Sequence, residues 1–161
     1  MVVHDNFLFI HFPRTAGSYI HLKLIKIIGA KGLANTHGGI KDVDFNYSDK
    51  FVFTVIRNPF DWYVSEFINR EYKDFGDYIF SHKGHMTKLF FDTYMIDGKI
   101  PGVNFFKYED IKKLKWMKDE PYNVTKDKKD YKSYYDDILI KIVEEYDEYI
   151  LNKFNYVFIG E

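Results

Sequence analysis

The sequence contains no cysteine, which excludes disulfide bonds and thiolate metal sites but does not fix the compartment. It has no run of about 18 apolar residues, and we therefore expect no membrane-spanning helix. It also lacks a basic leader followed by an apolar segment, the pattern of a secretory signal, and this predicts a cytoplasmic protein. A chain of 161 residues without repeats or low-complexity linkers predicts a single domain over residues 1–161.

An excess of one charge is also absent, since 23 Lys and Arg balance 24 Asp and Glu. The 46% hydrophobic and 20% aromatic content excludes a disordered chain. The charges are nevertheless uneven: residues 1–41 and 112–132 are basic, whereas residues 133–161 are acidic. This distribution suits a small polyanionic ligand held between two basic segments, unless the charge runs are only solvated faces.

Strand and helix patterns alternate along the chain. We predict strands over residues 7–12, 51–56, 103–107 and 156–159, with a short strand before His37. We predict helices over residues 18–28, 59–72 and 133–152, one or two more in residues 75–97, and an irregular stretch over residues 112–132. This order predicts an α/β domain with a largely parallel sheet flanked by helices, whose ligand lies beyond the carboxyl ends of the strands.

The first strand enters the first helix through the turn at residues 13–18. The N–H groups of a first helical turn, together with the helix dipole, favour an anion, and Arg14, Thr15 and Ser18 add side-chain donors. The turn lacks the Gly-Lys pair of an ATP-binding P-loop, and its one basic residue and two hydroxyls fit a terminal phosphate or phosphosulfate better. The alternative is an ordinary strand–helix connection in which the hydroxyls only cap.

The second turn begins at Arg57, where the strand over residues 51–56 ends. Asn58 and Pro59 then predict the start of a helix. Ser65 shares a face of that helix with Asn58 and Asp61, so the Arg57 guanidinium and the Ser65 hydroxyl can bind one phosphate together. The alternative is that Arg57 pairs with a carboxylate and that Ser65 is incidental.

Taken together, the two turns resemble the sulfotransferases that use 3′-phosphoadenosine-5′-phosphosulfate (PAPS). Residues 10–20, Ile-His-Phe-Pro-Arg-Thr-Ala-Gly-Ser-Tyr-Ile, resemble the 5′-phosphosulfate loop of that family, and residues 55–65, Val-Ile-Arg-Asn-Pro-Phe-Asp-Trp-Tyr-Val-Ser, resemble its 3′-phosphate segment. Residues 106–111 resemble the strand-end Tyr-Glu-Asp-Leu element of the family. Parts of residues 123–156 are similar to the C-terminal part of the branch that contains carbohydrate 2-O- and 4-O-sulfotransferases. The resemblance implies a P-loop-like three-layer α/β domain.

The resemblance also implies roles for individual residues. Arg57 and Ser65 would hold the 3′-phosphate, and Tyr19 would lie against adenine. Arg14 stands where the family usually has a catalytic Lys; it keeps the positive charge but does not readily give up a proton. The 5′-phosphate would be held by the backbone of Thr15, Ala16, Gly17 and Ser18 and by the Ser18 hydroxyl.

Sulfuryl transfer also needs a group that accepts the proton of the attacking hydroxyl, and histidine suits this near neutral pH. By its position, His37 is the candidate base, against the alternative of a surface loop histidine; we expect His11 to be packed, and His21 is a weaker candidate. One lysine of the late basic stretch is expected to close over the 3′-phosphate, namely Lys126, Lys128 or Lys129.

No metal is expected, since sulfuryl transfer needs none and the spacing of Asp77, His82 and His85 is loose. The leading hypothesis is a sulfotransferase that moves a sulfuryl group from PAPS to a hydroxyl of an acceptor, a sugar by the branch resembled, and leaves adenosine 3′,5′-bisphosphate. The alternatives are a PAPS-binding module with little or no catalysis and a P-loop nucleotide or nucleoside kinase. We expect neither nucleic acid nor a membrane as a partner; the oligomeric state stays open.

Overall fold

The computed structural model describes residues 1–33, 37–111, 113 and 128–159. The chain divides into two compact units, Met1–Ile56 with Phe90–Asn123 and Arg57–Leu89 with Val124–Glu161, and each is described by itself. The predicted single domain stays a prediction.

The first unit contains a five-stranded mixed sheet in the order β3-β1-β2-β4-β5. Its strands are β1 (Val2–Val3), β2 (Phe7–Ile10), β3 (Lys31–Gly32), β4 (Phe51–Ile56) and β5 (Asn104–Lys107). The centre is parallel, because β4 pairs in parallel with both β2 and β5, whereas β1 pairs antiparallel with β2 and β3. The prediction of an α/β chain with a parallel sheet centre is confirmed, but the sheet is mixed, and β1 was not predicted.

Apolar side chains on both sides of β2 explain its central place. Leu8, Phe9 and Ile10 are fully buried, and Phe9 belongs to a core that also contains Val2, Ile20, Ala30 and Val55. Burial on both faces is typical of central strands in parallel arrangements. The register pairs Ile10 with Thr54, so β2 and β4 end at the same edge of the sheet.

The described helices are α1 (Gly17–Ile28), α2 (Pro59–Asn69), α3 (Phe75–Ser81), α4 (His85–Tyr94), α5 (Tyr108–Ile111), α6 (Asp137–Tyr146) and α7 (Glu148–Phe154), with 3₁₀ turns at Ile40–Asp42 and Tyr131–Tyr134. Helix α1 stops at Gly29, whose φ of 72° lies in the left-handed region that glycine adopts at helix ends. Helix α2 begins as predicted: the Asn58 side chain accepts the N–H of Phe60, and Pro59 is the first helical residue.

The second unit is held together by aromatic side chains. Phe67 and Phe75 meet edge to face, with ring centroids 5.2 Å apart, and both contact Tyr134. Phe60 packs edge to face on Tyr135 at 5.4 Å. Edge-to-face pairs of this kind add to the free energy of burying the rings.

Four sequence predictions are wrong in detail. The helix expected over residues 133–152 is two helices, because the chain breaks at Asp147 between α6 and α7. Residues 156–159 form no strand. The strand predicted over residues 7–12 ends at Ile10, and the helix predicted to reach residue 72 ends at Asn69. Most of the stretch predicted to be irregular, residues 112–132, lies outside the described residues.

Helices that could cross a membrane would be both long and apolar. Within the part of the chain that the structure describes, no helix meets these two conditions.

Candidate functional site

The turn at residues 13–18 is built from left-handed backbone and an internal hydrogen bond. Arg14 and Ala16 both have a φ of 60°, which is uncommon for residues with side chains. The Thr15 hydroxyl donates to the Phe12 carbonyl oxygen at 2.7 Å, and Thr15 is fully buried. The Thr15 side chain therefore holds the turn in shape, and its hydroxyl hydrogen is used within the turn.

Helix α1 begins directly after this turn. Its first helical hydrogen bond runs from the Ile20 N–H to the Ala16 carbonyl oxygen at 3.0 Å. Ala16 precedes the helix and has no side-chain oxygen that could accept an N–H of the first turn. The turn therefore leads into a helix N-terminus that favours an anion through its dipole, with Arg14 half-buried beside it in sequence.

Gly17 starts α1 under the imidazole of His11. A Cβ atom at position 17 would lie 1.7 Å from His11 Cδ2, so any larger residue would collide with the ring. His11 is only 4% exposed, as expected for a packed histidine. The close approach of the ring to the backbone thus explains why glycine stands in this turn.

His11 and His37 form a pair of rings. Their centroids are 4.5 Å apart at an interplanar angle of 43°, and His37 is exposed. Burial, assisted by the positive charges of His37, of the Met1 amino group and of His21, lowers the pKa of His11 to about 3. His11 is therefore neutral near neutral pH, and His37 is the member of the pair that solvent reaches.

The remaining predicted residues of this turn are partly packed. Tyr19 is buried, and the Lys23 ammonium lies 5.2 Å from its ring centroid, a cation–π arrangement. Ser18 is half-buried in the first turn of α1. Burial also lowers the pKa of His21, the weaker candidate base.

In the second unit, Arg57 is paired with Asp61 one helical turn later. Arg57 Nε and Nη2 both lie 2.6 Å from Asp61 Oδ2. Lys128 Nζ contacts Asp61 Oδ1 and lies 3.5 Å from the Asp61 carbonyl oxygen. The carboxylate partner that the sequence left as an alternative for Arg57 is therefore present, and Lys128 is the member of the basic stretch that joins it.

The charges of this trio determine the ionisation of Asp61. Burial raises the pKa of Asp61, but the Arg57 guanidinium and the Lys128 ammonium outweigh burial, and the pKa lies below its usual value. Ser65 is only 2% exposed, on the same helix. Lys129 is exposed, and Lys126 lies outside the described residues.

His82 and His85, which were considered for a metal site together with Asp77, lie in a group of aromatic and backbone contacts. His82 and His85 have ring centroids 5.8 Å apart, and His82 Nδ1 lies 2.9 Å from the Tyr78 carbonyl oxygen. Across residues 1–33, 37–111, 113 and 128–159, no three His, Asp or Glu side chains lie close enough to hold a metal ion together.

Sequence reasoning missed a buried carboxylate at Asp147. Its Oδ2 accepts the Tyr63 hydroxyl at 2.7 Å, and its Oδ1 accepts the Thr87 N–H at 2.9 Å and the Thr87 hydroxyl at 2.8 Å. Burial raises the pKa of Asp147, and these hydrogen bonds oppose that effect only in part. The available signal was its spacing, because Asp147 lies four residues after Val143 and three before Ile150, both of which are buried apolar residues.

Comparison of the chain with family models, with curated proteins and with solved structures gives no match in any of the three.

Proposed function

We propose that this protein is a PAPS-dependent sulfotransferase that transfers a sulfuryl group to a hydroxyl of an acceptor, a carbohydrate by the branch that the sequence resembles. The observation that carries the proposal is the turn at residues 13–18. It follows a central strand, is held bent by the Thr15–Phe12 hydrogen bond, and leads into the N-terminus of α1 beside Arg14. These are the features that a phosphate or phosphosulfate group requires.

The second turn supports the same proposal. Arg57 and Lys128 already hold one oxyanion, the Asp61 carboxylate, so this place can bind a group of that charge. Strands β2 and β4 are parallel neighbours that end at the same edge of the sheet, and each motif follows one of these strands in the sequence. In the proposed function, the 5′-phosphosulfate binds at the first turn and the 3′-phosphate at the second, within a P-loop-like three-layer fold.

PAPS would supply an activated sulfuryl group, whose sulfur forms a bond to the acceptor oxygen while its bond to the 5′-phosphate oxygen breaks. Arg14 and the N–H groups of α1 would stabilise the negative charge that gathers on the departing phosphate. His37 would accept the proton of the acceptor hydroxyl, since its ring is exposed and an imidazole nitrogen can accept a proton. Ser18 would bind the 5′-phosphate, and Tyr19 would lie against adenine.

Thermal unfolding with ligands tests the nucleotide. A ligand present at about 100 times its dissociation constant adds about 2.7 kcal/mol to the free energy of unfolding. We expect adenosine 3′,5′-bisphosphate to raise the unfolding temperature more than ATP with magnesium does. A larger rise with ATP and magnesium would instead support a kinase.

Transfer of labelled sulfate from PAPS to a panel of sugars tests the chemistry. We expect a labelled sugar sulfate and adenosine 3′,5′-bisphosphate in equal amounts. Binding of adenosine 3′,5′-bisphosphate without transfer to any acceptor would indicate a binding module, in which Arg14 in place of Lys has removed catalysis.

A further inference from the structure

Asp61 is an anion enclosed by positive charge. Its two carboxylate oxygens are divided between two cations, Oδ2 with Arg57 at 2.6 Å and Oδ1 with Lys128. The side chains of all three residues are no more than 16% exposed. Asp61 also lies in the first turn of α2, where the helix dipole favours negative charge.

Arg57 and Lys128 could bind a phosphate group through the same donors that now contact Asp61. A guanidinium binds carboxylates and phosphates through the same pair of N–H groups, and an ammonium binds either as a point charge. The two cations with one carboxylate carry a net charge of about +1, whereas without the carboxylate they carry about +2. A carboxylate and a phosphate therefore compete for one set of donors.

We propose that Asp61 is a resident internal anion, which a phosphate group of the ligand replaces at Arg57 and Lys128. This inference rests on the proposed function for the identity of the ligand, but its chemistry applies to any phosphate. Asp61 keeps the two cations in place while the site is empty. The affinity for phosphate is then the difference between two similar interactions, and Asp61 sets how tightly the site binds.

The opposite role for Asp61 is to orient Arg57 while phosphate binds to other donors of the guanidinium. The two roles predict opposite changes in phosphate affinity for the Asp61→Asn variant. Exchange predicts tighter phosphate binding, because the amide removes the carboxylate charge that competes with phosphate for both cations. Orientation predicts weaker binding, because the guanidinium loses the partner that fixes it.

The first experiment measures binding of inorganic phosphate and of adenosine 3′,5′-bisphosphate to the full chain by calorimetry. We expect Asp61→Asn to bind both about tenfold more tightly than the unchanged protein, which corresponds to 1.4 kcal/mol. The matched control is Glu66→Gln, which removes the carboxylate from the other Arg–acid pair of this helix, Arg70 with Glu66 at 2.6 Å. We expect the control to leave both affinities unchanged.

The second experiment uses the unchanged protein and does not depend on the folding of a variant. Carbon-13 NMR follows the titration of the Asp61 carboxyl group with and without saturating inorganic phosphate. Among the described residues, the charged groups that act on it are Arg57 and Lys128, and the charge of Asp61 acts in turn on Tyr135. Exchange predicts that the low pKa of Asp61 rises towards its ordinary value when phosphate is bound, because the two cations have been taken from it.

The outcomes separate this inference from the proposed function. Tighter inorganic phosphate binding by Asp61→Asn, without any binding of adenosine 3′,5′-bisphosphate, would support the resident anion and contradict the nucleotide. Weaker binding of adenosine 3′,5′-bisphosphate by Asp61→Asn would contradict the exchange and leave the nucleotide supported. A pKa of Asp61 that stays low when phosphate is bound, or no phosphate binding to either protein, would overturn the exchange.

Discussion

The imidazole of His11 occupies the space that a side chain at Gly17 would need. The ring is buried, and its Cδ2 atom lies 1.7 Å from the point where a Cβ on Gly17 would stand. Since Gly17 is the first residue of α1, the packing of one histidine fixes where the helix starts relative to the turn before it.

Replacing Gly17 by alanine should therefore destabilise the protein, although alanine normally favours helices over glycine. We expect Gly17→Ala to lower the free energy of unfolding by about 1–3 kcal/mol, the usual cost of overpacking. The control is Gly102→Ala, where a Cβ would meet nothing within 4 Å. Urea denaturation measures both, and equal stabilities for the two variants would show that the ring moves aside at no cost.

Arg57→Ala should weaken the binding of adenosine 3′,5′-bisphosphate at least about tenfold, since a charge-assisted donor to phosphate is removed. Arg70→Ala is the matched control, because Arg70 also pairs with an acid one turn away in α2, at 2.6 Å from Glu66. Calorimetry on both variants separates phosphate binding from the loss of an intrahelical ion pair. Equal affinities would remove Arg57 from the 3′-phosphate site.

His37→Ala should lower the sulfuryl-transfer rate by a factor of about 10²–10⁴, the usual contribution of a general base. The affinity for adenosine 3′,5′-bisphosphate should stay unchanged, because that ligand carries no attacking hydroxyl. His4→Ala is a control in the same unit, where His4 stacks on Phe7 at 5.0 Å. Added imidazole should restore part of the lost rate, and a normal rate in the variant would exclude His37 as the base.

Asp147 should make the stability of the protein depend on pH. Because burial raises its pKa above the ordinary 3.8, the folded protein holds this proton more tightly than the unfolded chain. Its contribution to stability is therefore largest at acidic pH and falls as pH rises through the raised pKa. We expect Asp147→Asn to gain stability relative to the unchanged protein as the pH rises above 3.8, the ordinary pKa of the carboxyl group.

Guanidinium denaturation across that pH range measures the difference. The control is Asp137→Asn, on the exposed first turn of α6, which measures the change in stability when an exposed carboxylate is removed. Asp147→Ala should cost about 1–3 kcal/mol, since it removes the acceptor of the Thr87 N–H. It also removes the nearer of two acceptors of the Tyr63 hydroxyl, which keeps the His82 carbonyl oxygen at 3.2 Å. A difference between Asp147→Asn and the unchanged protein that does not vary with pH would contradict the prediction.

The sequence was sufficient for the elements with strong local signals. Residues 51–56 form β4 as predicted, because six apolar or β-branched residues end at Asn58-Pro59, a helix start. Helix α1 ends at Gly29 for an equally local reason. Strand β1 was missed because two valines are too short a pattern to predict a strand; it exists through its pairing with β2 and β3.

For the candidate site, the sequence gives the positions of the residues but not their contacts. The motif around Arg57 indicated an anion site, yet the bond to Asp61 and the approach of Lys128 from 67 residues away depend on tertiary structure. The helix break at Asp147 was equally hard to predict from the sequence. The partners of its carboxylate, Tyr63 and Thr87, are distant in sequence. In contrast, a packed His11 was predictable from its place among the apolar residues 7–12.

The hydrogen bond from Thr15 to the Phe12 carbonyl bends the turn before any ligand arrives. A ligand that binds there does not have to order the backbone, and little conformational entropy is lost on association. Thr15→Val would keep the shape of the side chain and release the turn, so that each binding event would have to close it again. The Thr15 hydroxyl would thus favour binding by preorganising the turn and not by contacting the ligand.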